Sequence, residues 1–452
     1  MPSVMWFRRD LRLGDNPALA NAVADAEDAH VVPLFVLDRN LWGPAGQARR
    51  AHLVASLTDL GDRIGGLQVR RGDPVEEVVS VARAAEASRV HIAEDFGPYG
   101  RHRDEKVAAA LAQHDIELVR SGTPYAVAPG SVLNGSGEPY QVFTPFSRAW
   151  KERGWPAPID LATQPTWTRP LKSHDLYRVS STGLRLPAAG EHAARQRWSA
   201  FLQTRLDGYG ADRNRPDLDR TSRMSVHLKW GEIHPRTMLA DLARLRGDDA
   251  VRFRTELAWR EFYADVLWRR PETAREYLRP EFARMEYDSP GERFDAWRTG
   301  RTGYPIVDAG MRQLRTEGWM HNRVRMIVAS FLVKDLHIEW QHGARHFMTY
   351  LVDGDLASNQ HGWQWTAGCG TDAAPYFRIF NPTTQGQRFD PDGDYVRRHV
   401  PELRGCDAET IHEPWKSRTR PSNYPSPIVE HAEERREALD RFEAIKQPPA
   451  RA

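Results

Sequence analysis

Cysteine is almost absent from this chain, since only Cys369 and Cys406 occur among 452 residues. Two thiols are too few for the disulfide framework of a small secreted protein. The sequence also lacks an apolar N-terminal segment and any apolar run of membrane-spanning length. These absences exclude a disulfide-stapled fold and favour a cytoplasmic protein with no membrane contact.

Lysine is scarce as well, because seven of the 63 basic residues are lysines and the others are arginines. The planar guanidinium of arginine suits contacts to phosphate groups. The 61 acidic residues nevertheless leave a net charge of only +2. Any surface for nucleic acid must therefore come from local clustering of basic side chains.

Phosphate-binding glycine motifs are missing too. The first 120 residues alternate strands, predicted at 4–7, 31–37, 67–70, 90–93 and 116–119, with helices, predicted at 17–27, 48–64, 74–87 and 101–113. Strict alternation predicts a doubly wound parallel sheet, an α/β fold. Its first turn, 8–16, contains only Gly14, so the dinucleotide fingerprint is absent, and no P-loop occurs. We do not expect this sheet to hold the main nucleotide cofactor.

The length predicts two or three domains at roughly 150 residues each. We predict an α/β domain at 1–127, a long connector rich in Pro, Gly and Ser at 128–190, and an all-helical domain at 191–452. The helices of the third part are predicted at 197–206, 235–245, 251–269, 306–316, 319–336 and 344–352.

The run 353–382 contains DGDLASNQHGWQW at 353–365 and GTDAAPYFRIFNP at 370–382. It has no nucleophile paired with a base. His342 and His346 are four residues apart, but no third ligand follows at a useful spacing, so we expect no metal. Carboxylates, amides, glycines and indoles suit a planar redox cofactor better than hydrolysis.

This run, together with WMHNRVRM at 319–326 and WFRRDLRLGDN at 6–16, resembles the photolyase and cryptochrome family. The resemblance covers nearly the whole chain and is closest to microbial class I cyclobutane pyrimidine dimer photolyases. It implies that domain 1–127 is an antenna domain and that domain 191–452 binds FAD. The residues that match FAD-binding positions are Tyr209, Thr221, Ser222, Arg223, Met224, Ser225, Phe253, Arg325, Asp353, Gly354, Asp355 and Asn359.

Two of these positions are informative. Asn359 matches the residue that faces flavin N5, where plant-type cryptochromes tend to have Asp and animal-type cryptochromes Cys. Phe253 replaces a family tryptophan near the flavin, a departure that we expect to affect packing only.

The activity implied by the resemblance is that of a deoxyribodipyrimidine photo-lyase, which repairs UV-damaged DNA. Excited reduced FAD passes an electron to a flipped-out cyclobutane dimer, the ring splits, and the electron returns. The matching substrate residues are Glu256, Trp259, Asn322, Met326 and Trp365, and the matching DNA-backbone residues are Arg213, Arg323 and Arg378. The branch that repairs (6-4) photoproducts has histidines where this chain has Asn322 and Met326.

Helical spacing puts Phe253, Glu256, Trp259 and Tyr263 on one stripe of a helix. An amphipathic helix with one exposed Glu gives the same pattern, and the family resemblance is what favours a role in the active site. A protonated Glu256 can donate a hydrogen bond to charge that develops on the dimer.

An indole relay for photoreduction of the flavin is also implied, with Trp363 and Trp340 at its first two positions. The third position is Tyr287, a departure from the family. A phenol must usually lose its proton to hold an oxidised state, so an end of the relay at Trp297 or Trp319 stays open.

A second chromophore is the last cofactor implied. Asp38, Arg49, Asp95 and Lys229 match antenna positions of members that bind a deazaflavin. A methenyltetrahydrofolate antenna stays open.

Two other functions compete with repair, a cryptochrome-type blue-light receptor and a light-independent flavin oxidoreductase. Asn359 and the lack of a long C-terminal extension argue against the receptor, and turnover of a small substrate in the dark would indicate the oxidoreductase. We expect a monomer with no obligate protein partner.

Overall fold

A computed structural model describes residues 1–168, 172–372, 377–417 and 421–446. Parts of the motif 370–382, of the predicted connector and of the predicted C-terminal domain, namely residues 373–376, 169–171, 418–420 and 447–452, lie outside the described residues.

Five parallel strands form the central sheet of the N-terminal part, in the order β3-β2-β1-β4-β5. They are β1 Ser3–Phe7, β2 His30–Asp38, β3 Gln68–Gly72, β4 Arg89–Ile92 and β5 Glu117–Arg120. In the centre, Val4 of β1 is opposite Val32 on one side and Val90 on the other. Apolar runs buried on both faces are typical of strands covered by helices on both sides. The predicted parallel sheet is confirmed.

Helices cover both faces of this sheet. They are α1 Pro17–Asp25, α2 Arg39–Trp42, α3 Gln47–Ile64, α4 Pro74–Ala84 and α5 Pro98–Ala112. Helices α1 and α3 pack on one face, and α4 and α5 pack on the other. Asn16 caps α1 by accepting from the N–H of Leu19, and Asp73 caps α4 by accepting from the N–H of Val75. The result is the doubly wound arrangement predicted from the sequence.

The predicted connector contains two elements that the sequence analysis missed. One is a helix, α6 Phe143–Arg153, which buries Phe143, Phe146 and Trp150. The other is a short strand, β6 Thr166–Trp167, which joins the sheet beside the start of β2. The three- and four-residue spacing of the apolar side chains was the available signal for α6.

The C-terminal part is helical. Its elements are α7 Glu191–Thr204, α8 Tyr209–Asp212, α9 Ser225–Trp230, α10 Pro235–Ala243, α11 Asp248–Arg269, α12 Glu292–Thr299, α13 Pro305–Glu317, α14 Asn322–Lys334, α15 Trp340–Tyr350, α16 Leu356–Ala367, α17 Pro382–Phe389, α18 Asp394–His399 and α19 His431–Lys446. Short 3₁₀ segments at Pro271–Ala274 and Pro280–Arg284 connect α11 to α12. None of the described helices combines the length and the apolar character that crossing a bilayer requires.

The turn after β1 docks on the helical part. Gly231 has φ of +67°, and a Cβ there would clash with the carbonyl of Arg9. Leu11 donates its N–H to the carbonyl of Trp230 at 3.2 Å, and Arg12 donates from Nη1 to the carbonyl of Gly231 at 3.1 Å. The segment 6–16, which lacks a nucleotide fingerprint, therefore holds the two halves of the molecule together.

A buried carboxylate strengthens the same interface. Glu232, which follows α9, accepts hydrogen bonds from His52 and Ser56 of α3 and from His227. Burial alone would raise the pKa of Glu232, but these partners hold it well below its usual range. A buried carboxylate with this many donors fixes the relative position of α3 and α9.

Candidate active site

Helix α11 carries the predicted aromatic stripe, and its members have different environments. Phe253 is buried against Tyr209 and two further aromatic rings of the core. Trp259 and Tyr263 are partly buried, with ring centroids 5.4 Å apart. Glu256 accepts a hydrogen bond from Nη1 of Arg213. Burial raises the pKa of the Glu256 carboxyl, and Arg213 opposes this shift.

The structure links the two predicted substrate indoles through the connector. One face of Trp259 is covered by Phe143, with ring centroids 3.6 Å apart and planes 8° apart. The backbone of Phe143 lies close enough to the carboxyl group of Asp372 to oppose the rise in its pKa that burial causes. The carbonyl of Asp372 accepts from Nε1 of Trp365 at 3.1 Å. Trp259 and Trp365, 106 positions apart in the sequence, are therefore brought together by Phe143 and Asp372.

Asn322 and Met326 lie one turn apart at the start of α14. Asn322 is exposed and Met326 is partly buried. Nδ1 of His321 caps the helix by accepting from the N–H of Arg323 at 3.2 Å. The cap keeps Asn322 on the solvent-facing first turn, where a ligand can reach its amide.

The predicted DNA-contacting arginines form one basic cluster. Burial, together with the nearby Arg213, Arg378 and Arg388, lowers the pKa of Arg323 to about 10. Arg323 is held by Asn214, whose Oδ1 lies 2.9 Å from Nη2. Arg378 is exposed, and its carbonyl accepts from Nζ of Lys334 at 2.5 Å. Several guanidinium groups this close together form a strongly positive surface.

Several predicted flavin residues form a hydrogen-bonded unit at the start of α16. Asp353 accepts from Nη2 of Arg325 at 2.8 Å and from Oγ of Ser225 at 2.6 Å. It is separated by Gly354 from Asp355, which caps α16 by accepting from the N–H of Ser358 at 3.1 Å.

Asn359, one turn along α16, is also fixed in place. Its Nδ2 donates to the carbonyl of Ala344 at 3.1 Å and to Oε1 of Gln360 at 2.8 Å. An amide held at two points presents one fixed orientation to a neighbouring ligand.

The residues of the predicted phosphate loop 221–225 differ in whether their polar groups already have partners within the protein. Oγ1 of Thr221 is buried and has no hydrogen-bond partner among the described residues. Oγ of Ser222 accepts from the N–H of Met224 at 3.3 Å, and the Met224 side chain is buried in the core. Arg223 pairs with Asp219 and Glu317 within the protein, so its guanidinium already has partners.

The relay residues Trp363, Trp340 and Tyr287 lie in one hydrophobic cluster. Trp363 of α16 packs on α15 at Gly343, where a Cβ would clash with the indole ring. Trp297 lies beside Trp363, with ring centroids 6.1 Å apart. Trp319 lies in a separate cluster, under the guanidinium of Arg223. The structure therefore does not bring Trp319 to the relay.

The four predicted antenna residues are electrostatically coupled across the domain interface. Arg103 lies 3.3 Å from Asp95, and Asp95 and Asp38 both raise the pKa of Arg103. Burial, reinforced by nearby cations that include Arg49, lowers the pKa of Lys229 to about 7. A small cavity of about 10 Å³ lies beside Asp95 at the carboxyl ends of β1 and β4, which is close to the space of one water molecule. This is the switch point of the sheet, where ligands of open α/β sheets bind.

In the part of the chain that the structure describes, the histidine pair has no further metal ligands beside it. The rings of His342 and His346 both lie near Phe294, at centroid distances of 6.2 and 6.5 Å. Within residues 1–168, 172–372, 377–417 and 421–446, no group of three or more His, Cys, Asp or Glu side chains could hold a metal ion.

Comparison with known proteins decides the family. The chain is 41% identical to a deoxyribodipyrimidine photo-lyase of Streptomyces griseus, over 96% of this chain and 97% of the relative. The family model for the FAD binding domain of DNA photolyase matches residues 253–444, and the model for DNA photolyase matches residues 3–165. The chain belongs to the DNA photolyase family.

Solved structures of this family superpose over nearly the whole length. A bacterial class III photolyase from Agrobacterium tumefaciens is 35% identical with a TM-score of 0.91, covering 99% of this chain and 98% of that chain. A cryptochrome from Synechocystis is 26% identical with a TM-score of 0.89, covering 97% and 98%. The resemblance predicted from three sequence motifs is confirmed, and the matched FAD domain confirms FAD as the family's cofactor.

Four further residues at the candidate site were missed in the sequence analysis. Phe143 lies in the stretch predicted as a connector, and its contact with Trp259 had no sequence signal. Arg9, which binds Asp355 at 2.7 Å, had the signal of a polar turn after a buried strand. Tyr277 and Glu339, which hydrogen-bond beside Trp340, had none, because they are far apart in the sequence.

Proposed function

We propose that this chain is a deoxyribodipyrimidine photo-lyase that repairs cyclobutane pyrimidine dimers in DNA in a light-driven reaction. The observation that carries the proposal is that Phe143 and Asp372 connect Trp259 to Trp365. Glu256 lies on the same helix as Trp259 and forms an ion pair with Arg213. The two indoles offer stacking surfaces for a pyrimidine dimer flipped out of the duplex, and the arginines offer phosphate contacts.

FAD fits the residues present around the start of α16. The buried Oγ1 of Thr221 lacks a partner among the described residues, which suits a phosphate oxygen as acceptor. The Arg325–Asp353 pair and the fixed amide of Asn359 offer polar groups to a planar ring. When bound, FAD supplies the electron that enters the dimer after light absorption and receives it back after the ring has split.

Glu256 and Asn322 recognise the dimer through hydrogen bonds to its carbonyl and imide edges. Because burial raises the pKa of Glu256, its carboxyl is closer to the neutral form than an exposed one and can donate a hydrogen bond. A donor aimed at developing negative charge in a dry site stabilises that charge strongly. Arg213 must then turn from Glu256 towards phosphate when DNA binds. Met326 fills the remaining apolar contact.

Arg323 and Arg378 bind the DNA backbone beside the extruded dimer. Arg323 stays within reach of Asn214, which orients its guanidinium. These contacts position the duplex without reading its sequence.

A second chromophore binds at the interface formed by Asp38, Arg49, Asp95 and Lys229. A deazaflavin is favoured because these residues match the subgroup that binds it, and methenyltetrahydrofolate is the alternative. Extraction of the pigment from protein made in its native host distinguishes the two, since a folate would overturn the deazaflavin assignment. We further predict that the protein is cytoplasmic and monomeric and that it has no obligate protein partner.

The test is dimer repair by the flavin-loaded, chemically reduced protein. A thymine-dimer oligonucleotide is mixed with the protein, and dimer loss is compared under blue light and in darkness. Light-dependent restoration is expected. No restoration by fully reduced protein would overturn the proposal and favour a cryptochrome-type receptor. Turnover of a small substrate in darkness would instead favour a flavin oxidoreductase.

A further inference from the structure

Tyr277 lies between Trp340 and Tyr287 in the core. Its ring is 6.1 Å from Trp340, in an edge-to-face arrangement, and 6.4 Å from Tyr287, with the planes 17° apart. Trp340 is fully buried and Tyr277 is nearly so. Tyr277 thus extends the line of aromatic rings beyond Trp340.

The phenol of Tyr277 has a proton acceptor. Its Oη donates to Oε1 of Glu339 at 2.7 Å. Glu339 directly precedes Trp340, is partly exposed, and has no ion-pair partner among the described residues. Burial raises the pKa of the Tyr277 phenol, and Tyr287 and Glu339 add to this shift. In the resting state the phenol therefore keeps its proton and donates a charge-assisted hydrogen bond.

The segment that carries Tyr277 is held beside the relay by Gln364. Its Oε1 accepts from the N–H of Leu278 at 2.8 Å, and its Nε2 donates to the carbonyl of Thr273 at 2.9 Å. Gln364 follows Trp363 on α16, so the helix that carries the first relay indole also positions the phenol.

Among the described residues, the other aromatic side chains of the relay have no hydrogen-bond partner that could take up a proton. Nε1 atoms of Trp363 and Trp340, and Oη of Tyr287, are buried without a hydrogen-bond partner among the described residues. Nε1 of Trp297 donates to the carbonyl of Val328 at 3.0 Å, a group that does not take up a proton. Trp297 is also fully buried. An oxidised indole at these positions keeps its proton and its positive charge in a dry core, which is costly.

We propose that Tyr277 is the terminal electron donor of the relay and that Glu339 receives its proton. The inference rests on the proposed light-driven flavin function. When bound, light-excited oxidised FAD would accept one electron from Trp363 and keep it. Trp340 replaces the electron lost by Trp363, and Tyr277 replaces the electron lost by Trp340. The phenolic proton moves from Oη of Tyr277 to Oε1 of Glu339. Both indoles return to their starting state, and the products are a neutral tyrosyl radical and a neutral carboxyl group.

The experiment identifies the radical in full-length, flavin-loaded, oxidised protein. Samples are illuminated without external reductant, and the radical is identified by freeze-trapped electron paramagnetic resonance and transient absorption. The variants are Tyr277→Phe, the matched control Tyr287→Phe, and Glu339→Gln, which keeps a hydrogen-bond acceptor but does not take up a proton. Thermal unfolding establishes that each variant is folded.

We expect a neutral tyrosyl signal in the wild type, its loss in Tyr277→Phe, and its retention in Tyr287→Phe. In Glu339→Gln the tyrosyl yield falls and an indole signal lasts longer. In the wild type, formation of the tyrosyl is slower in D2O than in H2O. A tyrosyl signal that persists in Tyr277→Phe, one lost in Tyr287→Phe, or a wild type with only an indole radical would each overturn the proposal.

Failure of this inference is separable from failure of the repair function. Dimer repair is measured with wild-type protein reduced chemically, which does not use the relay. Repair without a tyrosyl signal rejects only the role of Tyr277. A tyrosyl signal without repair leaves Tyr277 in place and rejects the repair function.

Discussion

Arg9, in the turn after the first strand, forms an ion pair with Asp355 at the start of α16, with Nη2 and Oδ2 2.7 Å apart. The side chains are 25% and 11% exposed, so the pair is largely shielded from water. Burial alone would raise the pKa of Asp355, but Arg9, Arg260 and Lys229 hold it well below its usual range. The sheet domain thus supplies a cation to the candidate flavin site.

Asp355→Asn is predicted to lower the free energy of unfolding at pH 7 by about 3 kcal/mol, because it leaves Arg9 unpaired. A depressed folded-state pKa gives stability that is present above the unfolded pKa, about 4 for Asp, and lost as pH falls further. The difference from wild type should therefore be full at pH 7 and shrink below about pH 4. Urea unfolding of flavin-free protein at several pH values measures it.

Asp288→Asn is the control for that comparison. Asp288 pairs with Arg441 at 2.9 Å but is 43% exposed, so its loss should change stability by about 1 kcal/mol or less. A wild-type advantage over Asp355→Asn that stays constant down to pH 2 would contradict the assignment of a depressed pKa.

Local sequence patterns were enough for the sheet but not for its contacts. Apolar, β-branched runs such as 31–37 predicted strands within about two residues of the observed bounds, since burial on both faces leaves little freedom in composition. Helix α6 was missed because Pro139 and Pro145 around its start suggested a loop. Pro145 lies in the first turn, where proline is tolerated.

At the candidate site, too, the sequence predicted local positions but not the contacts between distant segments. Helical spacing placed Glu256 and Trp259 on one stripe, which follows from local geometry. The ring that covers Trp259 comes from Phe143, and the acceptor for Tyr277 comes from Glu339, 62 positions away. Contacts between distant segments depend on tertiary packing, which no local periodicity encodes. Recognition of family motifs supplied residue positions but not these partners.

Glu256→Gln and Glu256→Ala should separate hydrogen bonding from charge in dimer recognition. If the carboxyl acts as a neutral donor, the amide retains most of the dark affinity for a dimer-containing oligonucleotide. Ala removes the donor and costs about 2 kcal/mol, close to thirtyfold in Kd. Titrations in darkness measure this, with Glu272→Gln as a surface control. Equal losses for Gln and Ala would show that the ionised form is needed.

Phe143→Leu tests whether the connector supports the substrate indole. Loss of the stacked ring behind Trp259 should weaken dimer binding by about 1 kcal/mol, roughly fivefold, with undamaged DNA unaffected. Phe146→Leu is a matched control, because Phe146 lies on the same helix and packs on Phe262 at 5.1 Å. The two variants should lose similar stability, and only Phe143→Leu should lose discrimination. If both variants discriminate equally well between dimer-containing and undamaged DNA, Phe143 has no specific role in dimer recognition.

The arginine cluster makes a prediction about salt rather than sequence. Each phosphate contact contributes about 0.9 to the slope of log Kd against log salt concentration for duplex DNA. Arg378→Gln should therefore lower that slope by about 0.9. It should weaken binding to damaged and undamaged duplexes equally, since a backbone contact carries no base information. Binding isotherms from low to physiological salt measure the slope.

Arg89→Gln is the control for this measurement, because Arg89 begins β4 and lies 3.2 Å from both Asp25 and Glu117 on the sheet domain. Its local carboxylates already neutralise it, so the slope should stay at the wild-type value. If Arg378→Gln leaves the slope unchanged and reduces affinity only for dimer-containing DNA, Arg378 contacts the dimer and not the DNA backbone. The combined result thus decides whether the cluster around Arg323 binds phosphates or reads the lesion.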